Sequence, residues 1–207
     1  CAQRQIGRRS GWDCEPAAQT TITSLWVGDP ASIGVVDRLA YVEDGWGWGW
    51  RRSISVTPER MYVSGLVYGA DGSTAHSTLQ VVDISDPTGL LHEGAQIEVA
   101  GQIQSRWQID EYQGVLRVVS QPGWGATGAP VVETWQVTSA TDVQPLGRME
   151  MVLPRPEALR SVRFDGPKAY AVTFERVDPL FTIDLSDPRL PVQRGELVIP
   201  GWLYHME

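Results

Sequence analysis

Two pairs of aspartates have the residue type and spacing to bind a hard cation. Asp83 and Asp86 stand in the sequence VDISDP, and Asp184 and Asp187 stand in IDLSDP. Clustered carboxylates suit Ca²⁺, but the glycine-rich loop and the glutamate at position 12 of a calcium-binding loop are missing. Asp also accepts hydrogen bonds from nearby backbone N–H groups, and Pro ends a strand. We interpret the four aspartates as turn residues and predict no cofactor, with calcium as the weaker alternative.

Tryptophans could bind a ligand by stacking. Trp46, Trp48 and Trp50 alternate with glycines, so an extended chain would place the three indoles on one face. Exposed indoles would stack on sugar rings or on another protein. Packed between sheets, they would instead use the glycines for close approach of a neighbouring strand, which is the interpretation we favour. Trp124, in a Pro-Gly-Trp-Gly loop, fits either arrangement and completes the candidate ligand-binding set.

No set of residues with catalytic spacing is present. His76, His92 and His205 have no second ligand at metal-binding spacing, and no serine stands in a Gly-x-Ser-x-Gly motif. Asp110 and Glu111 are expected in a turn, where acid–base chemistry would require a partner carboxylate from a distant part of the chain. No catalytic residue is predicted, and the interpretation leans toward a protein that is not an enzyme.

Charge and composition exclude several classes of partner. The net charge is −8 with no stripe of Lys or Arg, which argues against nucleic acid. No apolar run reaches the length of a transmembrane helix. A disulfide between Cys1 and Cys14 would suit an exported protein. Pairing of either cysteine outside this chain, and lipid modification of Cys1, remain alternatives.

The elements that carry these residues form a repeat. Aspartates at positions 29, 86, 142 and 187 each follow a β-rich run, and their spacing is that of β-propeller blades. The runs cover residues 20–27, 77–84, 131–138 and 180–185.

Further strands complete each repeat. Hairpin signals precede three of the runs, and a fourth strand follows each turn. The hairpins pair 52–56 with 61–67, 106–109 with 115–119 and 161–164 with 169–174; the fourth strands are 95–99, 148–152 and 196–199, with 37–42 in the first copy. A four-stranded antiparallel meander cannot cover its own two faces, so the units must stack. The predicted fold is all-β, built of β-propeller blades; a β-sandwich would need Greek-key pairing.

The repeat sets the expected domain organisation. Residues 1–19 form an irregular N-terminal segment, and 20–207 form blades over 20–50 (partial), 51–104, 105–154 and 155–207. Three and a half blades leave an open edge. We therefore expect these blades to belong to a larger propeller whose remainder lies outside this chain. The alternative is that residues 1–19 supply the missing pairing.

Several stretches resemble a known family. QIDEYQGVLRV at 108–118, SVRF at 161–164, residues 172–188, GEL at 195–197 and IPG at 199–201 are similar to bacterial and archaeal secreted proteins with a C-terminal beta propeller domain. VDISDP also resembles the LVIVD repeat of other propellers. The resemblance covers about 50–205 and implies a secreted or cell-surface location, with no established catalytic residues.

Three functions follow as hypotheses. The leading one is a non-catalytic extracellular propeller that binds a protein or glycan, or serves as a scaffold. The second is a hydrolase or lyase whose carboxylates converge in the propeller channel. The third is calcium-dependent adhesion through the Asp-Pro turns.

Overall fold

A computed structural model describes residues 2–6, 9–13, 19–42, 52–68, 75–123, 128–174 and 178–199. The chain divides into two compact units, residues 1–51 and 52–207. Trp46, Trp48, Trp50 and Trp124 lie outside the described residues, as do Cys1, Cys14 and His205. The ligand-binding prediction for the four tryptophans therefore stays a prediction.

The first unit contains two antiparallel pairs of strands. Strand β1 (Ala2–Ile6) pairs with β2 (Arg9–Asp13), and β3 (Gln19–Trp26) pairs with β4 (Gly34–Val42). The first pair differs from the irregular segment expected over residues 1–19. Only two residues, the first of them Gly7, separate β1 from β2, which is hairpin spacing. The second pair corresponds to the partial first repeat.

The second unit contains three four-stranded antiparallel sheets, each with its strands in sequence order. We call them blade 1, blade 2 and blade 3. Blade 1 consists of β5 (Ile54–Val56), β6 (Arg60–Tyr68), β7 (Ala75–Asp83) and β8 (His92–Glu98). Blade 2 consists of β9 (Ile109–Tyr112), β10 (Val115–Ser120), β11 (Val131–Val137) and β12 (Val143–Glu150). Blade 3 consists of β13 (Ala158–Asp165), β14 (Lys168–Phe174), β15 (Asp178–Asp184) and β16 (Val192–Ile199). The all-β prediction of four-stranded antiparallel meanders is confirmed.

One predicted strand is wrong. Residues 106–109 were expected to be extended, but Arg106–Gln108 form one turn of 3-10 helix, and the strand begins at Ile109. Ser105 and Gln108 form a capping box: the Ser105 Oγ accepts from Trp107 N at 3.3 Å, and the Gln108 side chain accepts from Ser105 N at 2.9 Å. The start of the strand shifts by one turn, which also places Asp110 and Glu111 in β9 and not in a turn.

The outer strand of each blade begins earlier than expected, at His92, Val143 and Val192. A β-bulge interrupts each of these strands where it pairs with its neighbour. A bulge inserts an extra residue and breaks the alternation of inward and outward side chains. The sequence pattern therefore reveals only the part of the strand after the bulge.

Two buried clusters hold the three blades face to face. The first joins blade 1 to blade 2 and includes Tyr62, Leu79, Leu116 and Trp135. The second joins blade 2 to blade 3 and includes Val119, Val132, Ala171 and Phe181. Neighbouring residues of β10 and β11 point to opposite faces, so blade 2 contributes to both clusters. Blade 2 is thus buried on both sides, as stacking of meanders requires.

Candidate binding groove

The first strands of the three blades line a common groove. Its volume is about 490 Å³. The lining residues are Ile54, Ser55 and Val56 of β5; Arg106 and Trp107 of the 3-10 turn; Ile109 and Asp110 of β9; and Arg163 and Phe164 of β13. Stacking of the blades brings together segments that are more than 100 residues apart in the sequence. A cavity of this size is in the range of small-ligand sites.

An aromatic and a cation mark the open side of the groove. The Trp107 side chain is 50% exposed, and the Arg106 guanidinium lies 4.4 Å from the centroid of its ring. The capping box of Ser105 holds this turn in place. Arg163, on β13, is an exposed second guanidinium in the lining. The groove therefore combines a stacking surface with two positive charges.

The buried Arg117 neutralises the negative charge of Asp110 in the groove lining. Asp110 accepts hydrogen bonds from the Nε and Nη2 atoms of Arg117, the former at 3.0 Å. Arg117 is only 3% exposed and also donates to the carbonyl of Gly166 at 2.5 Å. Its guanidinium lies 4.9 Å from the ring centroids of both Tyr112 and Phe164. Arg117 thus ties β9 to the β13–β14 turn and fixes the floor of the groove.

Glu111, the neighbour of Asp110, joins blades and does not face the groove. It accepts from Tyr62 Oη at 2.5 Å and from Arg60 Nη1 at 2.9 Å, both on blade 1. Burial, followed by the hydrogen bond to Glu111, raises the pKa of Tyr62 well above its usual range. Glu111 is therefore a structural link, and the described lining of the groove holds a single carboxylate, Asp110. This arrangement can bind and orient an anion, but it does not supply a pair of carboxylates for hydrolysis.

The Asp-Pro turns use their carboxylates within the turn. Asp83 Oδ1 accepts from Ser85 N at 2.8 Å, and Asp86 Oδ1 accepts from Thr88 N at 2.8 Å. Asp184 and Asp187 each accept the corresponding bond from the backbone N–H two residues later, that of Ser186 and that of Arg189, at 3.0 Å each. Such side-chain-to-backbone bonds are the expected function of Asp in a turn. In the part of the chain that the structure describes, no three His, Cys, Asp or Glu residues are grouped as a metal site.

Hydrogen bonds also lower the pKa values of three of these carboxyls, Asp83, Asp86 and Asp184. Donation from the side chain and backbone of Thr88, with His92 at 3.2 Å, lowers the pKa of Asp86 to about 2. Donation from Ser186 and then Arg194 lowers the pKa of Asp184 to about 2. His92 is thus a turn neighbour of Asp86. His76 lies at a second groove, beside Glu98 and Glu133.

Sequence reasoning missed Arg106, Trp107 and Arg163 as groove residues. The S-x-x-Q signature at Ser105–Gln108 was the signal that could have found the turn. Arg163 carries no such signal, because only the stacking of blade 3 on blade 2 brings it to the groove.

Stacked four-stranded meanders whose first strands face one groove are the blades of a β-propeller. A family profile described as "Beta propeller domain" matches residues 36–206. The chain therefore belongs to the beta propeller domain family, as its sequence resemblance predicted. Among the described residues, no helix is long and apolar enough to cross a membrane.

Two archaeal proteins are similar to part of the chain. An uncharacterized protein from Archaeoglobus fulgidus is 36% identical over 104 residues, which are 50% of this chain and 16% of that protein. An uncharacterized protein from Methanocaldococcus jannaschii is 37% identical over 106 residues, which are 51% of this chain and 17% of that protein. The similarity therefore covers only a small part of either relative. No solved structure matches the chain.

Proposed function

We propose that this part of a β-propeller is a non-catalytic binding module, and that its groove takes an acidic glycan. The observation that carries the proposal is the half-exposed Trp107 beneath the Arg106 guanidinium, in a groove that three blades line. An indole offers a flat apolar surface to a sugar ring, and its polar edge stays in contact with water. Guanidinium groups pair with carboxylates through two parallel hydrogen bonds.

Charge supports an anionic ligand. The whole chain carries a net charge of −8, yet the groove presents Arg106 and Arg163 against one carboxylate, which Arg117 neutralises. A local positive site on an acidic protein favours selective capture of anions over general adhesion to them. A uronic-acid oligosaccharide provides a ring and a carboxylate in each unit, which matches the pairing of indole and guanidinium.

The proposal includes a place of action outside the cell, where polymeric acidic glycans are found. The family resemblance in the sequence supports it. Mild protease treatment of intact source cells should release peptides of this protein, while a cytoplasmic marker stays intact. Peptides that appear only after lysis would contradict an extracellular location.

Calorimetric titration with an oligogalacturonate tests the ligand class directly. The matched control ligand is the same oligosaccharide with its carboxylates methyl-esterified. We expect saturable binding of the acidic form, weakened by added salt because the contact is between exposed charges. The esterified form should bind at least tenfold more weakly, since each tenfold corresponds to about 1.4 kcal/mol.

Two variants locate the site. Trp107→Ala should weaken binding roughly tenfold through loss of stacking, and Arg163→Gln should weaken it by a similar factor. Arg189→Gln removes an exposed guanidinium of blade 3 outside the groove and serves as the control, with no expected change. Equal affinity of all three variants for the acidic glycan would place its site elsewhere. No binding of either glycan by the wild-type chain would refute the proposed ligand.

A further inference from the structure

The contact between blades 2 and 3 has a defined geometry at the outer strands. Thr134 and Gly147 are cross-strand partners beside the bulge of blade 2. The carbonyl of Pro188, in the turn of blade 3, accepts from the Thr134 hydroxyl at 2.5 Å. A Cβ atom at Gly147 would lie only 2.4 Å from that carbonyl oxygen. The turn of blade 3 therefore packs on the Thr134–Gly147 pair of blade 2. We call this glycine and its cross-strand partner the seat.

The contact between blades 1 and 2 repeats this geometry. A Cβ atom at Gly94 would lie 2.1 Å from the carbonyl oxygen of Ala140, which stands in the corresponding turn of blade 2. Here the donor to that carbonyl is the backbone N–H of Ala95, at 2.8 Å. Gly94 and Gly147 each stand seven residues after the turn residue of their own blade, Pro87 and Ala140. The seat recurs from blade to blade.

An apolar side chain next to the seat is partly buried in both contacts. Ile97 of blade 1 packs against the first core cluster, and Met149 of blade 2 packs against the second. They have the same place in their sheets, since Ile97 pairs with Leu79 and Met149 pairs with Val132.

Blade 3 carries the same seat, and no residue that the structure describes occupies it. Thr182 pairs with Gly195 in the register of Thr134 and Gly147, and Gly195 stands seven residues after Pro188. Among the described residues, no atom comes within 4 Å of a Cβ placed at Gly195. Leu197, in the place of Met149, is 59% exposed.

The face of blade 3 that carries the seat is exposed along its outer strands. Val172, nearer the inner strands of blade 3, is fully buried. An occupant of this edge therefore contacts the outer strands of blade 3, and it need not be a complete blade.

The β3–β4 ribbon presents the complementary side of such a contact. Leu25 and Val27 are 52% and 65% exposed, whereas the residues in their places, Ile183 and Leu185 of blade 3, are buried against blade 2. Its turn at Asp29 has the same bonds as the turns of blades 1 and 3: Ala31 N donates to Asp29 Oδ1 at 2.9 Å, and Ser32 N donates to the Asp29 carbonyl at 2.9 Å.

The exposed face of the ribbon continues along both strands, away from the turn. Thr21 and Thr23 of β3 and their partners Ala40 and Arg38 of β4 are all exposed. The ribbon consists of the two outer strands of a repeat, which is the part that the open edge of blade 3 can accept.

We propose that blade 3 of one copy binds the β3–β4 ribbon of a second copy, head to tail. The Pro30 carbonyl of the second copy takes the place at Thr182 and Gly195 that Pro188 takes at Thr134 and Gly147. Leu25 and Val27 of the second copy cover Leu197. The two surfaces differ, so the interface is heterologous and generates a ring or a filament, not a two-fold dimer.

Sedimentation of two complementary variants tests this arrangement. Leu197→Asp blocks the seat and leaves the ribbon intact, whereas Leu25→Asp blocks the ribbon and leaves the seat intact. Both residues are exposed, so the folded chain tolerates the charge. Val152→Asp, at an apolar side chain that is 77% exposed and outside both surfaces, is the matched control.

We expect the wild-type chain and Val152→Asp to form assemblies whose mass rises with concentration. Each blocked variant alone should sediment as a monomer. An equimolar mixture of the two should form a dimer of twice the chain mass and grow no further, because each dimer has one intact contact and two blocked ends.

Three results would overturn the proposal. The wild-type chain could stay monomeric at every concentration, which would show that the ribbon of a second copy does not occupy the seat. The mixture of blocked variants could stay monomeric. Finally, Val152→Asp could abolish assembly as fully as the blocked variants do, which would indicate association through another surface.

Discussion

Replacement of Gly147 by alanine tests the packing of blade 2 against blade 3. The added Cβ would lie 2.4 Å from the Pro188 carbonyl oxygen and 2.8 Å from the carbonyl carbon of Arg189. Both are backbone atoms, so the turn of blade 3 has to move. Overpacking of this kind costs about 1–3 kcal/mol, and the better strand propensity of alanine offsets about 0.5–1 kcal/mol. We expect Gly147→Ala to lower the free energy of unfolding by up to about 2.5 kcal/mol.

Gly195→Ala is the matched control for this substitution. Gly195 has the same place beside the bulge of blade 3, but no described atom lies within 4 Å of its Cβ position. Without a contact, the substitution should be neutral or stabilise the chain by up to about 1 kcal/mol. Urea denaturation of dilute protein measures both variants, and an unchanged m-value shows that the midpoint shift is a change in stability. Equal stability of Gly147→Ala and Gly195→Ala would refute the seated turn.

Three further predictions follow from buried and turn polar groups. Arg117→Ala should lower the free energy of unfolding by about 2–4 kcal/mol, because it removes a buried side chain together with its hydrogen bonds to Asp110 and to the Gly166 carbonyl, while Asp110 itself is 35% exposed to solvent; a urea midpoint equal to that of the exposed control Arg189→Gln would contradict this. Asp86 and Asp184 have folded pKa values of about 2, so their contribution is fully present above about pH 4 and lost as the pH falls through about 2. Asp86→Asn combined with Asp184→Asn should therefore flatten the dependence of stability on pH in that window, measured by urea denaturation at each pH; an unchanged slope would count against the turn bonds. Because these carboxylates accept hydrogen bonds within their turns, the thermal midpoint should be the same in calcium and in chelator, and a rise in calcium would support the adhesion hypothesis instead.

The sequence was informative wherever one repeat determines its own structure. The β-rich runs before the turn aspartates predicted β7, β11 and β15, because alternation and turn residues act over a few neighbours. The turn function of Asp83 and Asp187 followed in the same way, from bonds that span two residues. Local chemistry was sufficient for these features.

Features that depend on contact between blades were not predictable from the pattern. Arg117 interrupts the apolar run Val115–Val119, and its burial depends on the Gly166 carbonyl of blade 3 as well as on Asp110 of the neighbouring strand. The bulges of the outer strands hide the alternation at the positions where neighbouring blades meet. The groove combines Arg106 with Arg163, which come from different blades and share no sequence motif.

One measurement tests the proposed function most directly. The wild-type chain is titrated with oligogalacturonate in a calorimeter, and the sugar is then recovered and analysed by mass spectrometry. We predict saturable heat of binding that Trp107→Ala reduces, together with full recovery of intact oligosaccharide. Absence of binding, binding that Trp107→Ala leaves unchanged, or shortened oligosaccharides in the recovered sample would contradict a non-catalytic glycan-binding groove.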